Sequence, residues 1–182
     1  MSDLGSRVHR TSLLHGTFVL RSGVTTDHYF DKYRFEADPA LLREVAVAMA
    51  PLVPPGTDAL AGLELGGVPL ATMVGQITGR PIRFIRKMAK EYGTSQLAEG
   101  GPVAGLRLTI IEDVVTSGGA VLAAVAALRD LGATVATAVC VIDRETGGAA
   151  ALAAIDVELR PVFRASELGT AELDLQSGDV AS

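Results

Sequence analysis

The chain is predicted to be an α/β protein with a central parallel sheet flanked by helices, and three observations carry this. Short apolar runs, among them Ala59–Leu63, 108–111 and 134–142, have the length and continuity of strands covered on both faces. Helix-like stretches alternate with these runs along the chain, the order that generates parallel crossovers. The composition is 48% hydrophobic but only 4% aromatic, without tryptophan, so Ala, Val, Leu and Ile must fill the core. That mixture suits helices packed on a parallel sheet.

The elements follow in order. Residues 4–15 read as a short helix, and 18–20 and 29–30 as short strands around a turn at 21–27. Asp38-Pro39 is a start signal, a capping residue before a proline in the first helical position, for a helix to about Ala50. Pro51, Pro54, Pro55 and Gly56 break the chain before the strand Ala59–Leu63, the helix Gly67–Thr78 and a strand at 81–86. Residues 87–105 hold four glycines and a proline without sustained periodicity, a loop longer than a compact domain keeps without a use. A strand to Ile111, a helix at 119–131, a turn at Gly132, a strand at 134–142, a helix at 145–154 and a last strand at 157–159 complete the pattern.

A chain of 182 residues fits one domain with a substantial core, read here as 1–169, and 170–182 read as a disordered acidic tail. Net charge is −5 and the pI about 5.2, which argues against a general nucleic-acid surface. The single cysteine, Cys140, lies inside an apolar run, so burial is its expected state. No basic segment leads into an apolar stretch at the start, and no run of eighteen apolar residues occurs. A soluble cytoplasmic protein with no membrane or nucleic-acid partner is expected.

The most informative segment is 108–120, Leu-Thr-Ile-Ile-Glu-Asp-Val-Val-Thr-Ser-Gly-Gly-Ala. An apolar strand ends at two acids, Glu112 and Asp113. Thr116, Ser117, Gly118 and Gly119 then form a turn able to wrap backbone N–H groups and hydroxyls around a phosphate, and the following helix points its positive end at the same anion. Acids repel phosphate, so Glu112 and Asp113 must serve another part of the ligand, such as sugar hydroxyls or a metal ion. The combination asks for a phosphorylated sugar.

This order of parts resembles the phosphoribosyl pyrophosphate (PRPP) motif of type I phosphoribosyltransferases. The resemblance implies that family's fold, with a small N-terminal hood over about 1–35 and a flexible loop. It also implies that Glu112 and Asp113 hold the ribose hydroxyls, and that Val114, Val115, Thr116, Ser117, Gly118, Gly119 and Ala120 surround the 5-phosphate. Glu112 stands where the family often has aspartate; either carboxylate accepts a hydroxyl hydrogen.

Lysine occurs only at positions 32, 87 and 90. Two of these fall in Arg86-Lys87-Met88-Ala89-Lys90, at the end of an acid-free stretch from 65 to 90. A solvated charged face and a clamp for a polyphosphate both account for this charge. The spacing Arg86-Lys87-x-x-Lys90-x-x-Gly93 resembles the loop of orotate phosphoribosyltransferases. That resemblance implies pyrophosphate contacts from Arg86, Lys87 and Lys90, with Lys90 the principal catalytic charge beside Asp113. It also implies a homodimer in which loop 86–100 reaches the neighbouring site. Tyr92 stands where many members have histidine, and a phenol is neutral near pH 7.

Two further stretches bear on the base. Phe18-Val19-Leu20-Arg21-Ser22-Gly23 with Tyr29-Phe30-Asp31 resembles the hood of the same family, implying that Arg21 meets pyrophosphate and that Tyr29 and Phe30 pack around orotate. Taken as bare residues, the two aromatics read as core rather than as a base platform. Val141-Ile142-Asp143-Arg144-Glu145 follows an apolar strand; its arginine either pairs with a neighbouring acid or, as the resemblance implies, binds the orotate carboxylate, with Thr116 also at the base. Gly62-Leu63-Glu64-Leu65-Gly66-Gly67 makes another strand-to-helix turn, which the family uses against pyrophosphate.

The implied reaction joins orotate to PRPP, giving orotidine 5-monophosphate and pyrophosphate in pyrimidine (UMP) synthesis. Mg2+ would be the cofactor, carried by PRPP with assistance from Glu112 and Asp113. A phosphoribosyltransferase for another base and a non-catalytic PRPP-binding regulator are the alternatives. His9, His15 and His28 lack the spacing of a metal site.

Overall fold

The computed structural model describes residues 3–19, 23, 25–87 and 97–168, and Asp38 shows how closely local chemistry sets its elements. The Asp38 Oδ1 accepts the N–H groups of Ala40 and Leu41, both at 3.0 Å, and Pro39 occupies the first turn. Helix Pro39–Met49 therefore starts where its capping pair predicts. The structure places this helix third, as α3, behind α1 (Asp3–Ser12) and a short α2 (Lys32–Ala37). Strands β1 (Leu13–Val19) and β2 (Thr25–Phe30) form a separate antiparallel ribbon.

The main sheet contains β3 (Ala59–Leu63), β4 (Ile82–Ile85), β5 (Ala98–Glu99), β6 (Arg107–Val115), β7 (Thr134–Asp143) and β8 (Glu158–Arg164). Their spatial order is β5-β4-β3-β6-β7-β8. All neighbours are parallel except β4 and β5. Helices α4 (Gly67–Thr78), α5 (Gly119–Asp130) and α6 (Gly148–Ala153) supply crossovers. One apolar cluster, including Ile110, Val125, Leu128 and Leu152, lies on one face of the sheet. A second, including Val45, Met49, Leu70 and Ile111, lies on the other. Adjacent Ile110 and Ile111 thus point to opposite cores, which is why the run is continuous rather than alternating.

Several boundaries differ from expectation, each for a physical reason. Helix α1 stops at Ser12 because Leu13 and Leu14 pair with Phe30 and Tyr29 across the ribbon. Strand β6 does not end at Ile111 but continues through both acids, with Glu112 opposite Cys140 and Val114 opposite Ile142. Helix α6 begins at Gly148 rather than 145, since Glu145 and Gly147 both have positive φ, 59° and 100°. Strand β8 extends to Arg164 through Pro161, a residue tolerated because this strand is the sheet's edge. The predicted tail at 170–182 lies outside the described residues. No described helix is long and apolar enough to cross a membrane.

β3 sends its crossover α4 toward β4, whereas its other neighbour, β6, leads away toward β7 and β8. The order in which strands are added across the sheet therefore reverses between the parallel neighbours β3 and β6. The helices that follow these two strands, α4 and α5, pack on opposite faces of the sheet, and the crevice between their connections is where open α/β sheets bind ligands.

Candidate active site

A cleft of about 210 Å3 opens at that switch point. One wall is the continuous stretch from Glu112 to Val121, and the other comes from Glu64, Leu65 and Gly66. Lys32, Tyr33 and Lys87 close it. The segment 112–120 singled out from the sequence is thus gathered along one ligand-sized space.

Each wall has a local cause. Gly118 adopts φ +81° and turns the chain from β6 into α5. No side chain caps α5, so the first N–H groups of this twelve-residue helix face the cleft without an intrahelical partner. They form the positive end that an anion needs. Across the cleft, a Cβ at Gly66 would fall inside the Asp113 carboxylate. Glycine at 66 is therefore what lets Asp113 lie between the two loops. Glu64 accepts the backbone N–H of Lys87 at 2.7 Å, tying the end of β4 to the same turn.

The acids are buried: Glu112 is 8% exposed and Asp113 0%. Glu112 Oε1 accepts the Asp113 N–H at 2.9 Å, and Asp113 Oδ1 accepts the Val114 N–H at 2.6 Å. Lys32 Nζ stands 2.7 Å from Asp113 Oδ2. Burial, then the charge of Asp113, push the Glu112 carboxyl well above the usual carboxylate range. Glu36, one turn beyond Lys32, is pushed up to about 9 by burial and by the charge of Asp113. Burial pulls Lys32 down, but the Asp113 carboxylate outweighs it and leaves the ammonium held above its ordinary range. One lysine thus pairs with Asp113 beside two further carboxyl groups that burial pushes toward the neutral form.

Glu36 gives a testable pH dependence. Its folded pKa, about 9, exceeds the ordinary 4.5. Between those values the unfolded chain releases a proton that the folded protein keeps, so stability falls as pH rises. Glu36→Gln keeps a donor and removes this dependence. The substitution is expected to raise stability at neutral pH by on the order of 1 kcal/mol, with no gain near the ordinary carboxyl pKa. Thermal unfolding at the two pH values checks it; equal gains at both would refute the cause.

Other candidates fall in different places. Lys87 reaches the cleft, whereas Arg86 lines an adjoining recess of about 320 Å3 between β4 and α5. Arg144 is half-buried at the end of β7, and its N–H donates to Val115 O at 2.9 Å. The neighbouring carboxylates of Asp143 and Glu145 accept the N–H groups of Glu145 and Ser166. Phe30 takes the core alternative: it is 6% exposed, belongs to the same apolar cluster as Val8 and Phe35, and does not line the cleft. Tyr29 packs on Phe18, ring centres 5.6 Å apart, and is likewise absent from the cleft lining. Arg21 and Lys90 lie outside the described residues. Among the described residues, no group of three or more His, Cys, Asp and Glu could hold a metal ion by itself.

Lys32 and Glu36 were not singled out as site residues from the sequence. Their helix has six residues, too few for a periodic signal. The signals present were the Asp31 cap, which accepts Tyr33 N–H at 3.1 Å, and the i, i+4 spacing of a scarce lysine and a glutamate.

A family model for the phosphoribosyl transferase domain matches residues 34–159. The orotate phosphoribosyltransferase of Nocardioides sp. (strain ATCC BAA-499 / JS614) is 55% identical over 170 residues, covering 93% of this chain and 95% of the relative. Among solved structures, the Mycobacterium tuberculosis H37Rv orotate phosphoribosyltransferase in complex with Fe(III) dicitrate superposes with a TM-score of 0.83 at 35% identity, covering 92% of this chain and 97% of that one. The same enzyme in complex with PRPP gives 0.78 at 30%, covering 92% and 97%.

Proposed function

We infer that this chain, which belongs to the phosphoribosyl transferase domain family, is an orotate phosphoribosyltransferase. It transfers the 5-phosphoribosyl group of PRPP to orotate, giving orotidine 5-monophosphate and pyrophosphate in pyrimidine synthesis. The observation that carries the reading is the continuous 112–121 wall at the switch point, acids first and helix N-terminus last.

The chemistry follows from the residues. Breaking the ribose C1–oxygen bond builds positive charge on the sugar and negative charge on the departing pyrophosphate. Asp113, with Glu112, receives the ribose hydroxyls and fixes the ring, while 114–120 holds the 5-phosphate on the first turn of α5. Lys87, with Arg86, Arg21 and Lys90, meets the pyrophosphate; Lys90 supplies the principal charge as the bond breaks. Arg144 pairs with the orotate carboxylate beside Thr116 and Tyr29. Glu112 and Asp113 would assist a magnesium ion carried in with PRPP, which would supply positive charge toward the leaving group. We further propose a cytoplasmic homodimer in which loop 86–100 serves the neighbouring site.

Orotate-dependent release of pyrophosphate from PRPP tests this reading. Release with orotate is expected to fall at least tenfold when magnesium is chelated. Release with a purine base instead of orotate would assign another acceptor. PRPP binding without any turnover would make the chain a regulator.

A further inference from the structure

We propose that Lys32 is a positioning residue that holds Asp113 ready for the ribose of PRPP, an inference that rests on the function just described. Its warrant is geometric. Asp113 is wholly buried, and its two oxygens are held from different directions: Oδ1 by the Val114 N–H at 2.6 Å, Oδ2 by Lys32 Nζ at 2.7 Å. The first contact comes from the acid's own strand. The second crosses from α2, an element that packs against α1 and α3. Lys32 thus joins the N-terminal part of the chain to the acid at the base of the cleft.

The support for Lys32 is itself built into the fold. Asp31 caps α2 and also donates its N–H to Ser12 O at 2.8 Å, anchoring the helix start where α1 meets the ribbon. Phe35, fully buried, fixes the helix on the core face. Glu36 follows Lys32 by one turn on the same helix and is itself buried. A carboxylate gripped at both oxygens loses little rotational freedom when a hydroxyl arrives, so its contribution to binding is preorganised.

Lys32 also borders the cleft, so a direct pyrophosphate contact is the rival role. A double-mutant cycle separates the two. PRPP affinity is measured by calorimetry for the wild type, Lys32→Met, Asp113→Asn and the double variant, with steady-state kinetics on the active ones. Lys32→Met is expected to weaken PRPP binding and raise its KM about tenfold, leaving the orotate KM unchanged. In the Asp113→Asn background the same change should shift PRPP affinity less than about twofold. Equal losses in both backgrounds would assign Lys32 to PRPP itself and overturn the proposal, as would an unchanged PRPP KM in the single variant. Should Lys32→Met not fold, Lys32→Gln, which keeps a donor without the charge, is read through the same cycle. Because calorimetry reads PRPP alone, a wild type that binds PRPP but ignores orotate would refute the function while leaving the cycle interpretable.

Discussion

Asp113→Asn is expected to lower orotate turnover by about a thousandfold, the scale seen when a charge-bearing contact to the transition state is lost. The carboxylate accepts from a ribose hydroxyl; an amide nitrogen turned to the same place would offer hydrogen to hydrogen. The change also strips Lys32 of its partner. Breaking a fully buried pair costs roughly 3–5 kcal/mol. Lys32 is 23% exposed along its side chain, so water recovers part of that loss here. Initial rates at saturating orotate and PRPP, with thermal unfolding alongside, separate catalytic from structural loss. A folded variant within threefold of the wild type would remove Asp113 from the site.

Lys90→Ala is expected to lower turnover by about a thousandfold as well, with little change in stability. An ammonium that stabilises the departing pyrophosphate works mainly in the transition state, so kcat falls rather than KM rising alone. Mixing this variant with Asp113→Asn tests the dimer. If loop 86–100 serves the neighbour, a heterodimer has one site with both defects and one with neither. Random mixing then restores roughly a quarter of wild-type activity. No recovery from chains that demonstrably exchange would place the loop over its own site.

Much of this could be read from the chain. Strand Ala59–Leu63 and helix Gly67–Thr78 lie where apolar runs and glycine boundaries put them. Helix Pro39–Met49 begins at its Asp38-Pro39 signal. These are local effects: a cap, a fixed proline φ, a run long enough to be buried on both faces. The order of acids, turn and helix at 112–120 was equally legible, because a phosphate-binding turn is contiguous in sequence. The boundaries that moved are those set by distant partners. Strand β6 carries Glu112 and Asp113 inside it because β7 continues alongside, and α1 yields Leu13 and Leu14 to the ribbon.

The local sequence therefore determined the fold class, the phosphate turn and the acids. The environment of those acids came from elsewhere. Lys32 and Glu36 lie more than seventy positions from Asp113, on a helix too short to announce itself. Only the packing of α2 against α1 and α3 brings the ammonium to 2.7 Å from the carboxylate, and only glycine at 66 clears that carboxylate. Burial in a shared dry space, not residue identity, then pushes the carboxyls of Glu36 and Glu112 up while Asp113 pairs with Lys32. Spacing along a chain carries no record of desolvation, and that is why the charge state of the site emerges only once the chain has folded.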